Sequence, residues 1–313
     1  MGTLPLRVAL PTRGGRVPGM ERPLRERPVR LRHVQVDDAG VRLAVHDWPA
    51  ASASDSSPAT VLFVHATGYH SRLWDGVISL MPPHIRCVAI DLRGHGMSDK
   101  PHPSSKPWSG DSEGGYYPYP LFGRDVLRAA RALGLAGCVA VGHSMGAAAI
   151  LNAAVVEPAL FSGMLLLDPI IVPPERYTTP STSPLAAVAT KRRRDFASAE
   201  EFFDRLADRY PFNLWQPSTL ADYCIHGLLP AGDVSVGAVS GSPGGTGAVT
   251  EGELLAEGNR HRNRCDHHSS SPARTGLGPS DTRLAGLSPV EGAAEPPYTL
   301  ACPPEIEGAA FGG

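Results

Sequence analysis

Residues 142–146 read Gly-His-Ser-Met-Gly, preceded by the apolar run Cys138-Val139-Ala140-Val141 and followed by the small-residue stretch Ala147-Ala148-Ala149-Ile150-Leu151. Strand, tight turn, then helix is the setting in which a G-x-S-x-G pentapeptide holds a serine nucleophile on a sharp bend. Glycines on either side of Ser144 let the strand and the helix approach without Cβ clashes. The same pentapeptide arises by chance in Gly- and Ser-rich loops, so its flanks are what single it out. Ser144 is the first candidate for chemistry.

The pattern around this turn is that of an α/β domain. From about residue 29, Val34-Gln35-Val36, a turn at Asp37-Asp38-Ala39-Gly40 and Val41-Arg42-Leu43-Ala44-Val45 alternate apolar and polar side chains, which predicts a β-hairpin. Thr60–Val64, Val88–Ile90, residues 137–141 and Met164–Leu167 are continuous apolar runs of strand length. Such runs predict strands covered on both faces, hence a parallel sheet. Helical stretches near 71–80, 119–133 and 145–156 lie between them, so strand and helix alternate after an antiparallel opening hairpin. In sheets of this kind the working residues gather at the carboxyl ends of the strands. Three segments fall there: His65-Ala66-Thr67-Gly68, then Asp91-Leu92-Arg93-Gly94-His95-Gly96-Met97-Ser98-Asp99, then the Ser144 turn.

With "HATGYH", "DLRGHGMSD" and "GHSMG" in this order and spacing, the chain resembles the α/β-hydrolases over about residues 30–230. Ala66 stands where that family usually has the glycine of a His-Gly pair. The resemblance implies a mostly parallel sheet with a helical lid. It also implies an oxyanion hole made by the backbone N–H of Met145 and that of Thr67, and a reaction needing no metal or cofactor. A serine, where the related dehalogenases and epoxide hydrolases carry aspartate, favours hydrolysis of a small or medium ester, thioester, amide or carbon–carbon bond substrate. Serine hydrolysis further requires an acid and a base. Asp168, after the run Met164–Leu167, is either the acid of the triad or a residue that caps the turn. No histidine is nominated as the base: His143 adjoins the serine, His65 and His95 belong to the neighbouring motifs, His226 falls in the lid, and His261, His267 and His268 fall in a segment that does not read as folded.

Residues 172–233 read as the lid. They contain Lys191-Arg192-Arg193-Arg194, which suits either an anionic substrate or a solvated helix face. A helix start follows at Ser198, and the aromatics at 202, 203, 210, 212 and 215 either line an apolar pocket or form the lid core. Composition then changes abruptly. From Val234 to Pro297 there is no Phe, Trp, Tyr, Ile, Met or Lys, and such a stretch cannot offset an ordering cost of roughly 1–2 kcal/mol per residue. This predicts a disordered insertion, either a translated intron, since Val234-Ser235 can be encoded by a splice-donor sequence, or a natural linker. A folded pattern resumes at Tyr298. Against the family, residues 298–313 read as a remnant of lid and core, with the last strands and the histidine loop missing. A non-catalytic hydrolase fold that binds a ligand or partner is therefore the alternative to an enzyme.

Composition narrows the partners. A formal charge of −2 over 313 residues gives no reason to expect nucleic acid or an anionic membrane. No apolar stretch is long enough to span a bilayer, and no signal peptide opens the chain. Cys87, Cys138, Cys224, Cys265 and Cys302 are odd in number and scattered, as reduced thiols would be, and none has the spacing of a metal site. These features predict a cytoplasmic protein with a small-molecule substrate and leave the oligomeric state open. The Arg- and Pro-rich leader over residues 1–28 reads as disordered, as preceding a start at Met20, or as an organellar targeting peptide.

Overall fold

The computed structural model describes residues 27–51, 59–102, 119–171, 184–233 and 298–312. The leader up to residue 26, the segment 234–297 and with it Cys265, His261, His267 and His268 lie outside the described residues. The opening hairpin is β1 (Arg30–Gln35) and β2 (Arg42–Trp48), with Val34 opposite Leu43. Its turn closes through Val36 N–H to Val41 O at 2.8 Å, with Gly40 at φ 91°. The parallel strands are β3 (Thr60–Val64), β4 (Arg86–Ile90), β5 (Cys138–His143) and β6 (Phe161–Leu167). They assemble with the hairpin in the order β1-β2-β4-β3-β5-β6, in which only β2 runs against its neighbours.

Helices α1 (Asp75–Leu80), α2 (Tyr119–Ala132) and α3 (Met145–Val156) connect the strands. Helix α2 is amphipathic and buries Leu121, Phe122, Val126, Leu127, Ala129 and Ala130. Helix α3 opens on a run of small residues, so α2 comes close enough that a Cβ on Gly123 would overlap the side chain of Asn152. Strands β3 and β4 are buried on both faces, as continuous apolar runs predict. Strand β6 departs from that expectation: Met164 is 46% and Leu165 53% exposed, because β6 is the edge of the described sheet.

A second layer comprises α4 (Pro184–Ala189), β7 (Asp195–Phe196), α5 (Ala199–Ala207), α6 (Pro217–His226), β8 (Leu228–Pro230), β9 (Tyr298–Leu300) and α7 (Pro304–Gly312). Helix α5 begins where Ser198 Oγ accepts the Glu201 N–H, while Glu201 accepts the Ala197 N–H, a reciprocal cap. Strands β7, β9 and β8 form a small antiparallel sheet in which Pro230 stands directly opposite Tyr298. The chain is thus paired immediately on either side of residues 231–297. Helix α7 then returns to the main core through Ile306 and Ala310. The basic run 191–194 is not a helical face: it follows α4 in irregular backbone and its arginines diverge. Arg192 pairs with Glu307, Arg193 with Glu201 and with the ring of Phe196, and Arg194 with Glu305, so carboxylates rather than solvent account for most of this charge. No helix among the described residues is long and apolar enough to cross a membrane.

Candidate active site

Ser144 sits between the end of β5 and the start of α3 with φ 52° and ψ −114°, a backbone region that costs a side-chain-bearing residue of order 1–3 kcal/mol. The surrounding structure holds it there. Ser144 N–H donates to Leu167 O at 2.9 Å, and Ser144 O accepts the N–H of Ala148 at 3.1 Å. Both glycines of the pentapeptide are sterically required. A Cβ on Gly142 would lie 2.7 Å from the backbone of Ala147, and one on Gly146 would overlap the carbonyl oxygens of Val64 and His65. The close approach at Gly146 presses the start of α3 onto the loop after β3. Met145 and Thr67 therefore touch, with Thr67 Oγ1 3.3 Å from Met145 Sδ.

The loop after β3 is fixed by its own hydrogen bonds. Tyr69 N–H donates to Ala66 O at 3.1 Å across a turn whose third residue, Gly68, has φ 76°. Leu92 N–H donates to His65 Nε2 at 2.9 Å, so that nitrogen carries no proton. His65 Nδ1–H therefore donates to Ala66 O at 2.7 Å. A trans peptide points its N–H opposite to its C=O. Anchoring Ala66 O from two sides thus aims the Thr67 N–H, in the same peptide, away from His65.

The segment 91–99 does structural work. Asp91 accepts Ser71 N–H at 2.6 Å and Met97 N–H at 2.9 Å, Ser98 Oγ bridges Asp91 O and Ala44 N–H, and Asp99 accepts Arg42 N–H at 2.8 Å. Gly94 and Gly96 take positive φ, and a Cβ on Gly96 would overlap the Asp91 carboxylate. Buried imidazoles surround Asp91: His46, bonded to Ser71 Oγ at 2.8 Å, His65, His70 and His95. Burial lowers His46 and His70 to about 4 and His95 to about 3. Folded imidazoles thus stay neutral where unfolded ones, at about 6.5, take up protons. Their contribution is present above pH 6.5 and is lost as pH falls towards 4, at up to about 1.4 kcal/mol per histidine per pH unit. Melting temperature is accordingly expected to fall steeply between pH 6.5 and 4.5. A flat profile over that interval would contradict neutral burial.

Asp168 directly follows β6, whose Leu167 is in register with His143, so it lies beside Ser144. It is exposed and has φ 45°, a conformation that aspartate tolerates better than most residues. His143 is half-buried with its ring 6.1 Å from that of Tyr69; burial lowers its pKa and Asp168 opposes the shift. Among the described residues no imidazole hydrogen-bonds Ser144 Oγ. His226 ends α6, half-buried, with its ring 6.3 Å from that of His70. Of the lid aromatics, Phe202 is buried in the lid core, whereas Phe212 and Trp215 are partly exposed and stack around Tyr223 and Tyr69. Tyr223, Arg192 and Glu307 come from three separate segments, and only folding brings them to the loop that bears Tyr69.

A family model described as the alpha/beta hydrolase family matches residues 61–241, which contain the β3 loop, the segment 91–99 and the Ser144 turn. The chain belongs to the alpha/beta hydrolase family. This alpha/beta hydrolase is similar to a lipase, LipV, of Mycobacterium tuberculosis, 33% identical over 119 residues, which are 37% of the chain and 39% of that lipase. It is similar too to a serine hydrolase-like protein of Danio rerio, 32% identical over 108 residues, 34% of the chain and 30% of that protein. The matched stretches thus span well under half the length of these relatives. Among solved structures, the crystal structure of E-2-(acetamidomethylene)succinate hydrolase superposes with a TM-score of 0.50 at 23% identity, covering 66% of this hydrolase and 67% of that chain. That likeness is one of fold.

Proposed function

We propose that this chain is a serine hydrolase acting on a small or medium ester, thioester or carbon–carbon bond substrate. Ser144 is the nucleophile, the N–H groups of Met145 and Thr67 receive the oxyanion, and Asp168 is the acid beside them. The observation that carries this reading is the strained Ser144 backbone, φ 52°, on a turn that Gly146 seats against the loop bearing Thr67. Attack by Ser144 Oγ on a carbonyl carbon, its hydroxyl proton passing to a base that the described residues do not supply, places negative charge on the carbonyl oxygen. Two preorganised backbone donors there contribute about 3 kcal/mol each to the transition state. The names lipase and serine hydrolase-like borne by two relatives support the same class.

The test is reaction of the purified chain with a fluorophosphonate, which labels activated serines, with Ser144→Ala as control. Labelling that disappears in the control is the expected result. A folded chain that is never labelled would favour a second reading, a hydrolase fold that binds a ligand or partner without turnover. The observation behind that second reading is that Ser144 Oγ has no imidazole partner among the described residues.

We also propose residues 29–171 as the hydrolase core, 172–233 as its lid, 234–297 as an insertion, and 298–313 as the segment that returns to lid and core. The insertion lies within the β8–β9 hairpin, so excising residues 234–297 would leave a three-residue turn, 231–233, in place of 67 residues. Loop-closure entropy then favours the shortened chain by about 3 kcal/mol. Urea denaturation of the excised variant is expected to show a higher midpoint with an intact cooperative transition. Loss of that transition would rule out an insertion.

A further inference from the structure

We infer that Glu307, Arg192 and Tyr223 form a hydrogen-bond relay that positions the oxyanion loop, with Tyr223 as its positioning residue. The inference rests on the serine-hydrolase reading for its catalytic meaning, and on hydrogen-bond geometry for its existence. Glu307, on α7, forms an ion pair with Arg192 Nη1. Arg192 Nη2 donates to the Tyr223 hydroxyl at 2.9 Å, and that hydroxyl donates to Gly68 O at 3.3 Å. A phenol has one proton to give. Because Arg192 occupies an acceptor site of the oxygen, the Tyr223 proton is left for Gly68. Burial pushes the Tyr223 pKa up, so the hydroxyl remains a donor.

The relay continues through the backbone. Gly68 O shares a peptide with Tyr69 N–H, which donates to Ala66 O at 3.1 Å, and Ala66 O shares a peptide with Thr67 N–H. From the Arg192 guanidinium to the Thr67 N–H every bond donates in the same sense and polarises the next, while the Glu307 carboxylate, accepting from the other side of the guanidinium, holds Arg192 in place. Hydrogen bonds in such chains strengthen one another by about 10–30% each. The backbone at Gly68 favours glycine. Its φ is 76°, and a Cβ there would overlap the Glu307 carboxylate and lie 3.4 Å from Arg192 Nη1. Tyr223 is itself held by the same loop, since His70 Nε2–H donates to Tyr223 O at 3.1 Å, the two rings stack at 5.8 Å, and Tyr69 meets the Tyr223 ring edge-on at 5.5 Å. Arg192, Tyr223 and Glu307 come from three separate segments outside the core strands, so docking of the lid and the set of the oxyanion donor are one event.

Tyr223→Phe in the full chain removes the hydroxyl and keeps the ring stacks; Glu307→Gln is the second variant, which weakens the ion pair while preserving shape. Two readouts apply. Amide hydrogen exchange at Tyr69, followed by NMR, is expected to accelerate at least tenfold in Tyr223→Phe, with β3 and β5 amides unchanged. With a p-nitrophenyl ester, kcat is expected to fall about tenfold with KM within twofold, and Glu307→Gln to produce a smaller loss of the same kind. Unchanged Tyr69 exchange in folded Tyr223→Phe overturns the relay. So does an unchanged kcat where the wild-type protein turns over. If wild type and Ser144→Ala are equally inert, the serine-hydrolase reading fails on that comparison, and the exchange measurement alone decides the relay.

Discussion

Replacing Arg93 by methionine is expected to cost about 3–5 kcal/mol and to leave little folded protein at 37 °C. Arg93 is fully buried in the turn after β4, where its Nε and Nη2 donate to the two oxygens of Asp125 at 2.5 and 2.6 Å. Nη2 also reaches Asp37 at 3.2 Å, in the turn of the opening hairpin. One guanidinium therefore ties α2, the β1–β2 turn and the β4 loop together. Removing it leaves two buried carboxyl groups without their counter-ion, a costly defect inside a protein. Burial raises the Asp125 pKa even against Arg93, so the stranded carboxyl would take up a proton rather than stay charged. A domain of this size is stable by about 5–15 kcal/mol, so the loss is a large fraction of the total. Arg93→Met combined with Asp125→Leu is expected to be less damaging than Arg93→Met alone, since Asp37 keeps the Val41 N–H at 2.9 Å. Urea denaturation of both variants decides it: a single variant as stable as the double would show that the ion triad contributes little.

Gly146→Ala is expected to lower the rate of fluorophosphonate labelling at least 100-fold and to cost about 1–3 kcal/mol. The added methyl would meet the carbonyl oxygens of Val64 and His65, which are backbone atoms at the end of a buried strand. Neither can move without disturbing β3, so the start of α3 must withdraw. That separates Met145 from Thr67, the two residues whose N–H groups are proposed to share one oxyanion. Displacement by about 1 Å at a reacting centre costs on the order of 100-fold in rate, and forcing a methyl into packed structure costs about 1–3 kcal/mol. Gly163→Ala on β6, where an added Cβ meets nothing within 4 Å, is the matched control and is expected to change neither quantity. Equal rates for Gly146→Ala and wild type would refute this account of the turn.

The architecture was legible because its signals are local. An apolar run of five residues ending in a His-Ala-Thr-Gly loop, and another ending in Gly-His-Ser-Met-Gly, each state a strand length, a turn and a direction. Strands β3 and β5 fall on those runs. The exposed β6 was not legible, since Met164-Leu165-Leu166-Leu167 reads like an interior strand; whether a strand has a neighbour is a property of the sheet. The basic run misled for a related reason. Four consecutive charges look alike in one dimension, yet irregular backbone sends Arg192 inward to Glu307 while Arg193 and Arg194 pair at the surface.

What the sequence by itself determined is the α/β fold and the candidate nucleophile, Ser144, with the glycines that its turn requires. Those depend on residues adjacent along the chain, where periodicity and the absence of a Cβ act directly. Tertiary structure alone decided which groups surround that serine. Gly146 meets Val64 and His65 across more than seventy residues, and Glu307 reaches the Gly68 loop by way of Arg192 and Tyr223. Contacts of that kind follow from how the layers close over one another, and composition or spacing within any single segment carries no trace of them.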